Sequence, residues 1–332
     1  MTLCKIGRYG ILAALCCWGT FVARAADDPF AEEPAPIQPA DRHALIVCGL
    51  PGDPEHRQLF AETVEKLYTA LTTRLDFLPQ QTAVLFSDET TDKDGPALHA
   101  SRGPATREKL AEVVDEIQGM LKPDGALWVF VLGHAHLDGR FSWLNLPGPD
   151  MNQVEFGRLF QKVACREQVF FVTTPASGFF VKPLSAAGRV VISATEADAE
   201  VNETIFPLKL ATALASPPPL AQFDVDGDSR PTLFDVYLWS ARETAQEYAS
   251  GELLATEHSL LDDDGDGRGT EVQLDYLSTE LGGRLRAGRT PSPRGKDGPR
   301  ARAIAMPMPP AAPPAEATPP ADTPSASAEA TN

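Results

Sequence analysis

The chain has 332 residues, with 46 acidic and 29 basic side chains and a formal net charge of −17 at pH 7. A negative charge of this size argues against a nucleic-acid-binding protein, because such proteins contact phosphates through clustered lysine and arginine. It is typical of a soluble exported protein or of a protein that binds cations.

The N-terminal segment predicts export. Lys5 and Arg8 give it a positive start, residues 10–22 are mainly apolar, and an Ala-Arg-Ala sequence at 23–25 has the small-x-small pattern that precedes signal-peptide cleavage. The apolar run is shorter than the about 20 residues of a transmembrane helix. We therefore expect a signal peptide at 1–25, no stable membrane span, and a secreted, periplasmic or cell-envelope location. Three of the five cysteines lie in this segment, so the mature chain is not a disulfide-dense scaffold.

Both ends of the mature chain have the composition of unfolded segments. Residues 26–41 are rich in proline, alanine and acidic residues and are predicted to be a linker. From residue 284 the sequence becomes basic and then rich in Pro, Ala, Ser and Thr, which buries too little apolar surface to offset the entropy lost on ordering. We expect a disordered tail at 284–332, so that truncation after Gly283 leaves folding unchanged, and a folded domain at 42–283.

Within the predicted domain, short apolar runs alternate with segments of helical periodicity. The strand-like runs lie at 43–49, 81–86, 126–132, 168–172 and 189–194, and the main helical patterns lie at 54–75, 105–121, 153–163 and 233–250. This alternation predicts a doubly wound α/β fold, with a mainly parallel sheet covered by helices on both faces. In such sheets, ligands and catalytic groups collect at the carboxyl ends of the strands.

Two predicted strands end in segments that could carry chemistry. Gly133-His134-Ala135 follows the strand at 126–132, and a turn of small residues at 173–178 follows the strand at 168–172. A histidine at a strand end can be the general base for a thiol or hydroxyl nucleophile, provided that backbone N–H groups receive the oxyanion. Such a histidine can equally be a structural hydrogen-bonding residue.

The order of these motifs resembles the caspase–legumain (clan CD) cysteine peptidases. Those enzymes carry Gly-His-Gly after one strand and Asp/Glu-x-Cys-x-Ser-Gly after the next. Here the segments at 190–195, 202–206, 233–248 and 256–263 are similar to bacterial caspase-like proteins, so the resemblance covers about residues 43–275. The resemblance implies a caspase-like fold, with His134 at the position of the general base and Ser177 and Gly178 in the turn after the nucleophile.

The same resemblance places Pro175 at the position of the nucleophilic cysteine. Proline has no ionisable side chain, and it lacks the backbone N–H that the family's oxyanion hole takes from that residue. Thr173 and Ala135 also depart from the two motifs. We therefore expect a pseudopeptidase that binds a peptide or protein ligand or acts as a scaffold. The alternative is an active hydrolase with His134 as base and Thr174 or Ser177 as nucleophile.

Two acidic loops are candidate calcium sites. Asp224, Asp226, Asp228 and Asp235 occupy positions 1, 3, 5 and 12 of an EF-hand-like loop, in which alternating oxygen ligands surround one Ca²⁺. Ser229 replaces the usual glycine of position 6, and Asp235 is shorter than the usual glutamate. A second, weaker candidate contains Asp262, Asp264 and Asp266, with a glutamine at position 12. The alternative for each is a solvated acidic turn; Ca²⁺ is the one cofactor that the sequence suggests.

Overall fold

The computed structural model describes residues 35–87, 95–284 and 296–308. The predicted signal peptide, most of the predicted linker, and residues 285–295 and 309–332 of the predicted tail lie outside these residues. The contacts divide the chain at Pro36, and the description below concerns the unit that begins at Ile37. In the described ranges, no helix combines the length and the apolar character needed to cross a bilayer.

The central sheet has six strands in the order β2-β1-β3-β7-β8-β9, and a small second sheet has the order β4-β5-β6. The strands are β1 (Arg42–Cys48), β2 (Thr82–Phe86), β3 (Ala126–Leu132), β4 (Ala135–Leu137), β5 (Ser142–Leu144), β6 (Met151–Asn152), β7 (Glu167–Val172), β8 (Arg189–Ser193) and β9 (Leu260–Asp262). Strands β1, β2, β3, β7 and β8 are parallel, and β9 pairs antiparallel with β8 at one edge.

Helices cover both faces of the central sheet. They are α1 (Pro54–Arg74), α2 (Pro96–His99), α3 (Arg107–Met120), α4 (Gln153–Leu159), α5 (Val181–Leu184), α6 (Phe206–Ala215), α7 (Leu220–Phe223), α8 (Leu233–Ser250) and α9 (Pro299–Ala303). Short 3₁₀ helices lie at Pro39–Asp41, Pro79–Gln81, Ser177–Phe180, Val272–Asp275 and Thr279–Leu281. The predicted doubly wound α/β fold is thus confirmed by the sheet itself.

The strands of the central sheet are mainly apolar, because both faces of the sheet are buried, and β3 is apolar throughout. Along β3, Trp128 and Phe130 pack in the layer that contains α1, α6 and α8, whereas Val129 and Val131 pack in the layer that contains α3, α4 and α5. Successive side chains of a strand point to opposite faces. A strand that is covered on both faces therefore shows no alternation of apolar and polar residues. This explains why β3 is the most strand-like segment of the sequence.

Part of the predicted tail is folded, which corrects the prediction of disorder from residue 284 onward. Residues 296–308 include helix α9, whose first backbone N–H groups at Gly298, Arg300 and Ala301 donate to the Asp263 carboxylate at 2.8–2.9 Å. Ala301 and Met306 are buried in the core. The composition of this segment does not reveal the helix, because the carboxylate that caps it, Asp263, belongs to another part of the fold.

The antiparallel edge strand β9 and the small sheet β4-β5-β6 were not predicted. Each of their strands has only two or three residues, which is too short for hydrophobic alternation to be recognised in a sequence. Both additions lie beside the predicted site: β4 begins directly after His134, and β9 covers the edge formed by β8.

Candidate functional site

The His134 side chain lies at the carboxyl end of β3, where it is held by the loop after β1. Its Nε2 lies 2.9 Å from the carbonyl oxygen of Pro51. Since a carbonyl can only accept, Nε2 carries the hydrogen and Nδ1 is the nitrogen that is free of it. Gly133 has φ +118°, and a Cβ there would lie 2.9 Å from the Gly49 nitrogen, so only glycine allows this approach of the two loops.

A second histidine stands against His134. The His56 and His134 ring centroids are 5.0 Å apart, and the Phe60 ring packs against both. His56 Nε2 lies 2.8 Å from a Glu203 oxygen and its Nδ1 lies 2.5 Å from an Asp53 oxygen. Both hydrogen bonds raise the pKa of His56, and the hydrogen bond to Glu203 has the larger effect.

The turn after β7 is closed by its own hydrogen bonds. Pro175 is buried, and Ala176 adopts a left-handed conformation with φ +50°. The Ala176 N–H donates to the Glu200 carbonyl at 2.8 Å. Thr173 donates both its N–H and its hydroxyl to the Val131 carbonyl, at 2.8 and 2.9 Å. The Ala176 N–H is therefore already used within the protein.

Ser177 and Gly178 are structural parts of this turn. The fully buried Ser177 hydroxyl oxygen accepts hydrogen bonds from the N–H groups of Ala194 and Thr195, at 3.0 and 3.1 Å. A Cβ on Gly178 would lie 2.3 Å from the Ala197 nitrogen, which requires glycine there. Together these contacts fasten the turn to the segment that follows β8.

The structure brings the two predicted motifs to neighbouring strand ends. Strands β3 and β7 are adjacent, with Val131 opposite Val172, so His134 and the 173–178 turn follow paired positions. The Thr174 side chain is 1% exposed. Cys48 ends β1 opposite Leu132 of β3, and Cys165 precedes β7. Burial raises the pKa of Cys48 far above its usual range and that of Cys165 to about 11. No reactive thiol therefore faces His134 among the described residues.

Two groups at this edge were not predicted from the sequence. They are the carbonyls of Pro51 and Glu200, which hold His134 and the Ala176 N–H. Backbone carbonyls carry no residue-specific signal, so only the fold could reveal them.

The first acidic loop brings three of its four predicted ligands together. Oxygen atoms of Asp224, Asp226 and Asp235 lie within 4.8 Å of one another, but Asp228 is not in this group, and its carboxylate accepts the Arg230 N–H instead. Ser229 has φ +64°, the left-handed conformation usual for glycine at this position.

Burial raises the pKa of Asp235 to about 6, and the nearby negative charge of Asp226 adds to this rise. Asp226 itself pairs with Arg302 from the C-terminal segment, at 3.0 Å. The loop therefore already holds one positive charge at its edge.

The second acidic loop is completed by a residue from outside it. Oxygen atoms of Asp262, Asp264 and Asp297 lie within 4.8 Å of one another. Asp266 was predicted as a ligand, but its carboxylate accepts the Arg268 N–H and is not in the group. Burial raises the pKa of Asp297 to about 6 and also raises that of Asp262. Asp297 was missed because it lies in the segment predicted to be disordered.

Comparison with known proteins gives structural likeness only. No protein-family model matches the chain, and no curated protein matches it. Among solved structures, the Drosophila initiator caspase Dronc is 10% identical over 71% of this chain and 84% of its own, with a TM-score of 0.41. Caspase-1 from Spodoptera frugiperda is 13% identical over 69% and 88%, with a TM-score of 0.42. A protein from Geobacter sulfurreducens is 12% identical over 67% and 92%, with a TM-score of 0.41.

Proposed function

We propose that this chain is a secreted pseudopeptidase of the caspase–legumain type, which keeps the carboxyl edge of its sheet as a surface for a peptide or protein ligand. One observation carries the loss of activity: Pro175 is buried at the nucleophile position, and the Ala176 N–H beside it donates to the Glu200 carbonyl. A cysteine peptidase needs a thiolate, a base and free oxyanion donors in one place. Here only the base, His134, is in place.

The rival proposal, an active hydrolase, has weaker support. Ser177 is fully buried, and its oxygen accepts two backbone N–H groups. A hydroxyl bound in this way is neither accessible to a peptide nor free to move toward His134. Thr174 is also buried. Attack requires the reacting atoms to come within about 3–3.5 Å, and substrate cannot approach either oxygen without opening the turn.

The proposal can be tested with activity-directed electrophiles and a peptide library. We would treat the full chain with an acyloxymethyl ketone probe for cysteine peptidases and a fluorophosphonate probe for serine hydrolases, and then offer the library. We expect no covalent adduct and no cleavage, together with retention of a subset of intact peptides. The matched variant is His134→Ala, which should weaken retention. An adduct that forms on the native chain but not on His134→Ala would establish the hydrolase instead.

We also propose that the acidic loops bind Ca²⁺. The observation that favours it is the convergence of three carboxylates in each loop, Asp224 with Asp226 and Asp235, and Asp262 with Asp264 and Asp297. Carboxylates this close repel one another unless a cation or protons screen them, and oxygen ligands at alternating positions suit calcium. Arg302 pairs with Asp226 and offsets part of the negative charge of the first group. The second group therefore keeps more negative charge for a cation to offset.

A further inference from the structure

A cavity of about 690 Å³ lies on the far side of the β8 end, away from the residues that carry His134. Its walls come from α8 and from the segments at 194–206, 253–259 and 271–282. Part of its lining is apolar, including Phe206, Tyr248 and Leu277. Leu253 also lines it and yet is 64% exposed, so this side chain lies at the mouth. A ligand with an apolar stem would fit such a cavity.

The polar lining of this cavity is strongly negative. Six carboxylates line it and no lysine or arginine does; the one basic group is the imidazole of His258. Those carboxylates belong to Glu196, Asp198, Glu200, Glu257, Glu271 and Glu280. A cavity with this charge concentrates cations and excludes anions.

Some of these carboxylates have structural roles and some do not. Glu257 accepts the backbone N–H groups of Ile205 and Phe206 at the start of α6, together with the Tyr248 hydroxyl. Glu200 binds the His258 imidazole and the His258 N–H. Of the four that remain, Asp198 accepts the Ala199 N–H, and Glu196 lies close enough to Glu271 to raise the pKa of the Glu271 carboxyl.

The Glu196–Glu271 pair is short of positive charge. Burial and then the Glu196 carboxyl raise the pKa of Glu271, and the opposing effects of His258 and Arg284 do not cancel the rise. The six carboxylates that line this one cavity repel one another, and a bound cation would relieve that repulsion. Within the described residues, carboxylate trios tight enough for one metal ion occur only in the two acidic loops. With a volume of about 690 Å³, the cavity has room for an organic cation.

An unsatisfied hydroxyl in the wall is a second, independent sign of a ligand. Thr244 on α8 lines the cavity, is 3% exposed, and its Oγ1 has no hydrogen-bond partner among the described residues. A buried hydroxyl without a partner costs free energy, so such groups are uncommon in native proteins. A ligand N–H group would supply the missing partner.

We propose that this cavity binds a guanidinium or alkylammonium group on an apolar stem, held by Glu196 and Glu271, with the stem passing over Leu253. The group can come from an arginine or lysine side chain of a peptide or from a free amine. Guanidinium fits two facing carboxylates well, because it presents several N–H donors in one plane. The proposed ligand-binding residues Glu196 and Glu271 do not contact His134 in any hydrogen bond of the described residues, although Glu200 both lines the cavity and accepts the Ala176 N–H; the proposal does not depend on whether His134 acts as a base.

The test is calorimetric titration of the full chain with three probes of matched length: agmatine, acetyl-arginine methylamide and acetyl-citrulline methylamide. The neutral citrulline probe should not bind, whereas at least one cationic probe should saturate one site. Tighter binding of the blocked arginine would identify a peptide side chain as the ligand, and tighter binding of agmatine would identify a free amine. If neither cationic probe binds, or if citrulline binds equally well, the proposal is wrong.

Variants locate the site. Glu196→Gln and Glu271→Gln should each weaken binding about tenfold, as expected for loss of a charge-assisted hydrogen bond, and Thr244→Val should weaken it about three-fold. The matched control is Asp115→Asn, which removes one exposed charge on α3 and should leave affinity unchanged. Melting curves check that each variant is folded, and either glutamate variant suffices if the other does not fold. Equal losses in Asp115→Asn and the two glutamate variants would contradict a specific site.

Discussion

At the scale of single residues, our proposal gives the candidate site a base without a nucleophile. The hydrogen bond from His134 Nε2 to the Pro51 carbonyl fixes the tautomer with a basic Nδ1. What is missing lies on the neighbouring strand end, where Pro175 is buried and the Ala176 N–H is occupied by Glu200.

The variant Pro175→Cys tests whether the missing thiol alone accounts for the loss. We expect it to remain inactive on peptides, because position 175 is buried and the hydrogen bonds of Ala176 and Ser177 hold the turn closed, so that the new thiol would not reach a substrate. The measurement is fluorogenic peptide turnover together with the rate of alkylation by iodoacetamide. Robust turnover by Pro175→Cys would show that the 173–178 turn opens readily.

A second residue-scale prediction concerns Asp263, which accepts three backbone N–H groups at the start of α9. Asp263→Ala leaves these donors unsatisfied and should lower the free energy of unfolding by about 2 kcal/mol. The control is Asp264→Ala, whose side chain is exposed. Denaturant unfolding of both variants, measured with chelator to exclude metal effects, checks the difference. Equal stabilities would mean that α9 is not held by Asp263.

Single residues differ in how well the sequence predicts them. The position of His134 at a strand end follows from the apolar run before it, and the left-handed Ser229 follows from its loop position. Asp297 could not be predicted as a partner of Asp262 and Asp264, because it is far from them in the sequence and no local pattern links them.

At the scale of elements, the C-terminal segment is tied to the domain by several contacts. The Leu233 N–H donates to the Ile304 carbonyl, and the Met306 N–H donates to the Pro231 carbonyl, at 2.8 and 2.9 Å. The Arg302 guanidinium stacks on the Phe234 ring at 3.7 Å and pairs with Asp226. The segment therefore covers the start of α8.

Two truncations separate this segment from the rest of the tail. A stop after Gly283 removes α9 and its contacts and should lower the melting temperature by several degrees, since it exposes Phe234 and leaves Asp263 without its partners. A stop after Met308 removes only residues 309–332 and should leave the melting temperature unchanged. Thermal unfolding of the two shortened chains checks this. If both melt like the full chain, the segment contributes nothing to stability.

Elements with long buried runs were predictable from the sequence and short ones were not. The five parallel strands and the helices α1, α3, α4 and α8 lie where hydrophobic periodicity places them. Strand β9 and helix α9 have three and five residues, and both are stabilised by tertiary partners rather than by their own pattern. Composition alone therefore assigned α9 to the tail.

At the scale of the whole molecule, the acidic loops predict a stability that depends on both calcium and pH. The pKa values of Asp235 and Asp297 are raised from 3.8 to about 6 in the fold. Between about pH 4 and 6 the folded state then binds more protons at these groups than the unfolded chain does, so their contribution to stability falls as pH rises. Calcium binds the ionised carboxylates and should offset this loss.

We therefore expect calcium to raise the melting temperature little at pH 5 and clearly at pH 7. At a free concentration 100 times the dissociation constant, binding to the folded state alone adds about 2.7 kcal/mol. The measurement is a melting curve with chelator and with millimolar calcium at each pH. Asp224→Ala with Asp226→Ala should remove the part due to the first loop, and Asp264→Ala the part due to the second. Identical melting curves in both buffers at pH 7 would mean that the loops are acidic turns that do not bind calcium.

The central claim is that the molecule keeps the shape of a peptidase edge without its chemistry. The most direct measurement is turnover of a fluorogenic peptide library by the full chain, with and without calcium, beside His134→Ala. The account predicts that the native chain and His134→Ala give the same background rate on every peptide. Turnover by the native chain that disappears in His134→Ala would contradict it, because His134 would then be acting as the base for a nucleophile that the buried turn does not offer.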